Sequence, residues 1–147
     1  MKKIMNEKDK TDKEKLLVCK EEVDDGAIGE VSYYYKGNVL KKIVSHLYFE
    51  TGNEYREYYI KNDKVYFIYE KMTRIEHIIK VMPTGESVWK ENPKVLGISE
   101  KRYCFDSNGE IVRYIDEKGN IHENDLQMRE ADKEIRRFKL NFLGNRL

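Results

Sequence analysis

The sequence predicts an α+β protein, an antiparallel meander of about six to seven strands packed on one face by a C-terminal α-helix. Three observations carry that prediction. One hairpin pattern recurs at Tyr33-Tyr34-Tyr35-Lys36-Gly37-Asn38-Val39-Leu40, at Tyr58-Tyr59-Ile60-Lys61-Asn62-Asp63-Lys64-Val65 and at Tyr103-Cys104-Phe105-Asp106-Ser107-Asn108-Gly109-Glu110-Ile111. Tyrosine supplies 11 of the 147 residues, and its ring suits a pleated, half-buried surface. The C-terminal segment carries a single apolar stripe at helical spacing.

Taken in order, residues 1–15 are mostly Lys, Asp, Glu, Asn and Thr. Such a composition buries too little to repay ordering, so a flexible charged tail is expected, followed by one domain over 16–147. Leu16-Leu17-Val18-Cys19 reads as a short edge strand and Glu21-Glu22-Val23-Asp24-Asp25-Gly26 as a turn. Strands are then expected at 30–36, 39–49, 55–61, 64–72, 74–82, 102–106 and 110–116. They are separated by Gly37-Asn38, Thr51-Gly52-Asn53, Asn62-Asp63 and Ser107-Asn108-Gly109, residues that accept the positive φ of tight turns. Short connections of this kind make sequential neighbours antiparallel. Residues 83–101, with Pro83, Gly85 and Pro93, break the pattern and read as a long connection folded over the sheet with Trp89 as its anchor. Asn124 with Gln127 forms a capping-box pattern. The helix that follows shows Met128, Ala131, Ile135, Phe138 and Phe142 on one face, with Gly144 at its C-cap.

Alternation separates the sheet's faces. Tyr33, Tyr35, Tyr58, Ile60, Tyr103 and Phe105 should point to the core. Ser32, Tyr34, Glu57, Tyr59, Arg102 and Cys104 should share the other, mixed and partly wet face. His77 alternates with Ile75 and Ile79, which reads as a half-buried histidine.

Composition excludes several functions. Charged residues make up 37% of the chain, yet 28 Lys and Arg against 27 Asp and Glu leave a net charge of +1. Cations and acids are mixed nearly everywhere, which argues against binding nucleic acid through phosphates. There is no run of ~20 apolar residues to span a membrane. The basic start Met1-Lys2-Lys3-Ile4-Met5 leads into charged residues instead of an apolar leader core. The sequence as given is therefore expected in the cytoplasm, with an exported or periplasmic location the alternative if a native leader lies outside it. Cys19 and Cys104 allow one disulfide in an oxidising compartment or two thiols in a reducing one. The strand pattern around Cys104 favours a buried thiol.

No catalytic signature is present. His46, His77 and His122 fall on separate elements without metal-ligand spacing. The chain has no phosphate-cradling glycine loop and no nucleophile elbow. Asp106-Ser107-Asn108-Gly109-Glu110 is too short for a calcium loop and reads as a turn. No catalytic residue, cofactor or metal is expected. The candidate binding surface is the wet face: Tyr34 and Tyr59 at equivalent repeat positions, Tyr66 and Tyr114 on the return strands, with Trp89 and Arg102. The blander reading is that these rings pack as cross-strand pairs or lie beneath residues 83–101. The expected function is a non-catalytic module binding a protein or small molecule. The alternative is a ligand site or enzyme with a pocket between the sheet and residues 83–101, built on His77 with Glu76 or Arg102. Self-association through an edge strand is a third expectation.

The stretches from Asp25 to Tyr35, Glu57-Tyr58-Tyr59-Ile60 and Arg102 to Asp116 resemble a group of uncharacterised small proteins of Bacteroidetes-type bacteria. The resemblance spans about residues 25–142. It implies tyrosine-rich hairpins, a C-terminal helix and, usually, export, with no known activity or catalytic residue. A weaker likeness is to the tyrosine-and-glycine hairpins of toxin–antitoxin-associated proteins.

Overall fold

In the computed structural model the backbone is described for residues 3–9, 16–24, 28–77, 79–89 and 92–143, and the side chains for 28–77, 81–89 and 92–137. Eleven strands and one helix appear among these residues: β1 (Lys3–Asp9), β2 (Leu16–Asp24), β3 (Ile28–Lys36), β4 (Val39–Phe49), β5 (Gly52–Lys61), β6 (Lys64–Ile75), β7 (Ile79–Val81), β8 (Ser87–Trp89), β9 (Val95–Phe105), β10 (Ile111–Ile115), β11 (Ile121–His122) and α1 (Leu126–Leu143). Nine strands form one sheet in the order β1-β2-β3-β4-β5-β6-β9-β10-β11, and β7 pairs with β8 apart from it. The architecture is the α+β meander and C-terminal helix that the hairpin pattern predicts.

Turn chemistry fixes the neighbours. Asn62 and Asp63 both take positive φ, 52° and 62°, as a type I′ connection between β5 and β6 demands. Asp106 Oδ1 accepts hydrogen bonds from the amides of Asn108 and Glu110, and Asp116 Oδ1 accepts them from Lys118 and Asn120. The last two hairpins are thus closed by the same Asx-stabilised loop.

One feature of register repeats with the hairpins. Tyr34 pairs with Lys42 but Tyr35 with Leu40; Tyr59 pairs with Phe67 but Ile60 with Val65; Cys104 pairs with Arg113 but Phe105 with Ile111. Each return strand therefore carries one extra residue, Lys41, Tyr66 or Val112, as a β-bulge. All three are exposed.

The core follows from period-two alternation. Tyr33, Ile43, Tyr58, Ile68, Tyr103 and Tyr114 pair in a single cross-strand row from β3 to β10, each at most 7% exposed. Met128, Ala131 and Ile135 of α1 are buried in the same cluster, so the helix covers this face. Phe138 and Phe142 belong to the predicted stripe, but their side chains lie outside the described residues. Asp125, and not Asn124, caps the helix, its Oδ1 accepting the Met128 amide at 2.8 Å. Asn124 is instead held at φ 57°, which carries the chain out of β11 and leaves the next residue to cap.

Other expectations change. Residues 3–9, predicted within a flexible tail, pair antiparallel with β2; main-chain hydrogen bonds along a sheet edge do not require apolar side chains. Residues 10–15 lie outside the described residues. The predicted strand 74–82 divides, because Ile75 ends β6 and β7 belongs to a side hairpin. The base of that hairpin is closed by the Glu76 amide donating to the Lys94 carbonyl at 2.9 Å. His77 is exposed beside Glu50 at 3.2 Å, not half-buried. From Val95 on, the expected long connection is the first half of β9, paired with β6.

His122 ties the last hairpin to the helix. Its Nε2 lies 2.8 Å from Asp116 Oδ2 and its Nδ1 2.7 Å from Asp125 Oδ2, while the ring stacks on Tyr114. Neutral imidazole has one N–H, so satisfying both carboxylates requires the imidazolium. These hydrogen bonds raise the His122 pKa above its ordinary 6.5 and lower Asp116 to about 2. The Met128 amide, then His122, lowers Asp125. A raised histidine contributes stability that is complete below pH 6.5 and lost as pH climbs through its folded pKa. A lowered carboxylate contributes above its ordinary 3.8 and loses that contribution as pH falls towards 2.

Two outcomes are expected. In thermal melts, the stability gap between wild type and His122→Ala is widest between about pH 4 and 6.5 and narrows on either side; a gap independent of pH would contradict the imidazolium clamp. In urea titrations, Ile68→Ala, in the fully buried row, costs about 2–5 kcal/mol, whereas Val39→Ala, half exposed at the start of β4, stays within about 0.5 kcal/mol.

Candidate functional site

The face opposite the helix is built of rows set by strand pairing. The first runs Tyr34, Lys42, Tyr59, Phe67, Cys104, Arg113. The next runs Ser32, Val44, Glu57, Tyr69, Arg102, Ile115, and the third Glu30, His46, Tyr55, Lys71, Glu100. The fourth is Ile28, Tyr48, Asn53, Thr73, Ile98. Because each row sits two residues from the next, every one of these side chains belongs to the same face.

The rings on this face touch one another. His46 stacks on Tyr48 at 4.3 Å and meets Tyr55 edge-on at 5.5 Å; Tyr55 meets Tyr69 at 6.2 Å. Tyr59 meets Phe67 at 5.7 Å and the bulge residue Tyr66 at 6.3 Å. Lys42 stands between Tyr34 and Tyr59, its Nζ 4.8 Å and 5.6 Å from the two ring centroids. Arg102 lies over Tyr69 at 5.1 Å. Such cation–π contacts hold the long side chains against the sheet.

Carboxylates take up the tyrosine hydroxyls. Tyr59 donates to Glu57 Oε1 at 3.0 Å and Tyr69 to Glu100 Oε2 at 2.8 Å. Partial burial, reinforced by Glu57, pushes Tyr55 up to about 12 and raises Tyr59 further; partial burial and Glu100 raise Tyr69. These phenols stay protonated and act as donors. His46 Nε2 bonds to Asn53 Oδ1 at 3.3 Å and Nδ1 to the Tyr48 hydroxyl at 3.1 Å, which a neutral ring protonated on Nε2 satisfies with the hydroxyl donating. Cys104 is a free thiol whose pKa burial raises. The result is a preformed, ring-rich surface of mixed charge.

The predicted site residues separate. Tyr34, Tyr59, Tyr66 and Arg102 share this face. Tyr114 does not, for the Val112 bulge turns it into the core against Tyr103 at 5.2 Å. Its hydroxyl is pushed up to about 12 by burial. Trp89 anchors nothing: it is 72% exposed on the side hairpin, and residues 81–89 are exposed throughout. Lys42, His46, Tyr55, Phe67 and Tyr69 join the face without having been singled out from the sequence. The alternation Tyr55-Glu57-Tyr59 and Phe67-Tyr69 was the signal available for three of them.

The helix side has its own concavity, an open cleft of about 880 Å³ whose lining includes Phe49, Met72, Ser99, Arg56, Glu70 and Glu134. Its floor is the cross-strand row Arg56, Glu70, Lys101. Arg56 Nε donates to Glu70 at 2.7 Å and Nη1 to Glu54 at 3.1 Å, and the Tyr103 hydroxyl donates to Glu70 at 3.4 Å. Arg56 is 2% and Glu70 6% exposed. Alternating signs along the row satisfy the buried charges by pairing. A Cβ on Gly52, at the cleft's rim, would run into the Thr73 carbonyl oxygen, so only glycine lets β5 and β6 approach there. The expected pairing of His77 with Glu76 or Arg102 is not found here: Glu76 accepts the Lys94 amide, His77 faces Glu50, and Arg102 is on the open face.

The chain matches no family model, no curated protein and no solved structure. Among the described residues no helix is long and apolar enough to cross a membrane.

Removing one half of the buried pair should expose its role. Arg56→Ala is expected to cost about 3–5 kcal/mol in urea titrations by stranding Glu70, against less than about 1 kcal/mol for the exposed Arg102→Ala. Equal losses would mean that the Arg56–Glu70 pair is not what holds the cleft floor.

Proposed function

We propose that this protein is a non-catalytic protein-interaction module whose recognition surface is the open, ring-rich face of the sheet. One observation carries the reading: α1 covers one face, while the opposite face presents a contiguous set of aromatic rings on which no helix packs among the described residues. An antiparallel sheet commonly leaves one face to solvent, but that face is ordinarily polar, and a ring-rich patch rimmed by charge is the mark of an interaction site. Tyrosine offers apolar area, a hydroxyl and few rotors, which suits a recognition surface. Charges of both signs and tilted rings favour a protein partner over a phosphate backbone, which would require a cationic surplus. The cleft beside the helix supports a ligand site less well, since its buried charges are already paired with one another.

The test is capture of a partner from the protein's own cells. Tyr34→Ser combined with Tyr59→Ser is expected to weaken capture by about tenfold or more, the effect of removing two anchoring rings, with an unchanged far-UV circular dichroism spectrum. Undiminished capture by the folded variant would refute the reading.

A further inference from the structure

The open face is self-complementary, and we infer that its occupant is a second copy of this chain, packed sheet against sheet about a twofold axis. This rests on the reading of that face as a protein-binding surface and adds the partner. A twofold axis parallel to the strands, midway between β5 and β6, exchanges β5 with β6, β4 with β9 and β3 with β10. In the first row it sets Tyr59 against the partner's Phe67 and Tyr34 against the partner's Arg113. In the second it sets Glu57 against the partner's Tyr69. In the third it sets Tyr55 against the partner's Lys71 and His46 against the partner's Glu100.

Ring meets ring and ring meets cation, Lys42 meets the partner's Cys104 and Arg102 the partner's Val44, and no two like charges oppose one another. Isologous contact requires this property, that residue i fits j as j fits i. A surface shaped for a different protein has no reason to satisfy it. Size agrees. Six strands about 4.8 Å apart and four rows about 6.8 Å apart span roughly 700–800 Å², close to the ~800 Å² per partner of a stable interface. Aligned packing of two sheets ~10 Å apart would let the side chains interdigitate as they do in a sandwich core. A net charge of +1 per chain sets up little repulsion between copies.

Sedimentation of the full chain at concentrations up to about 100 µM is expected to give twice the 17.6 kDa chain mass. Glu100→Lys and His46→Glu singly are each expected to weaken the dimer about tenfold or more by bringing like charges or an unpaired cation together, and the double variant to recover most of the loss. Lys71→Glu, at the cross-strand neighbour of Glu100, should weaken it as well, by removing the cation set against the partner's Tyr55. Far-UV circular dichroism checks that each variant is folded. A monomer throughout would overturn the second copy as occupant, and if Tyr34→Ser with Tyr59→Ser still abolished capture of another protein, the face would remain a binding surface. A dimer indifferent to every face variant would place self-association elsewhere and sink both inferences.

Discussion

A single row of six side chains, Tyr33, Ile43, Tyr58, Ile68, Tyr103 and Tyr114, holds the molecule in register. Burying these across six strands fixes which residue faces which, because a slip of one position would send every one of them to the opposite face. Once this row is under the helix, period-two alternation assigns every other side chain: the neighbouring positions Tyr34, Lys42, Tyr59, Phe67, Cys104 and Arg113 have nowhere to go but the open face. The ring-rich open face is thus the necessary complement of the core.

That dependence explains why the two faces differ in kind. The helix face concentrates its buried charge into one paired cluster, Arg56 with Glu70 and Glu54, and hands the rest to Tyr, Ile and Met. The open face spreads rings among cations and carboxylates, with the Tyr59 and Tyr69 hydroxyls engaged by Glu57 and Glu100. Buried charge is tolerated where it is paired, whereas the same charges on the open side remain wet and available to a partner. His122 extends this logic to the end of the chain, where an imidazolium between Asp116 and Asp125 fastens the helix to the last hairpin beside the core row.

Much of the fold was legible in the chain. The turn residues and the alternation of Tyr33, Tyr58 and Tyr103 were enough for the meander and for its core face, since both are local properties of the backbone. The stripe of Met128, Ala131 and Ile135 was enough for the helix. The site was legible in part. Tyr34 and Tyr59 stood out through the repeat, but Lys42 between them was invisible, because a lysine inside a strand pattern does not announce which strand it will face. Tyr114 was misplaced for the opposite reason: counting by twos through β10 ignores the bulge at Val112, and a bulge leaves no mark in composition.

The sequence by itself determined the hairpins, the two-faced sheet and the amphipathic helix, because turn chemistry and side-chain periodicity act over a few residues. Only the tertiary structure decided which residues share the open face, that the segment around Trp89 stands off as a side hairpin, and that Val95 to Glu100 continue the sheet. Those outcomes depend on pairing between strands far apart in the chain, where a single bulged residue reverses a face and where main-chain hydrogen bonds extend a strand beyond its apolar pattern.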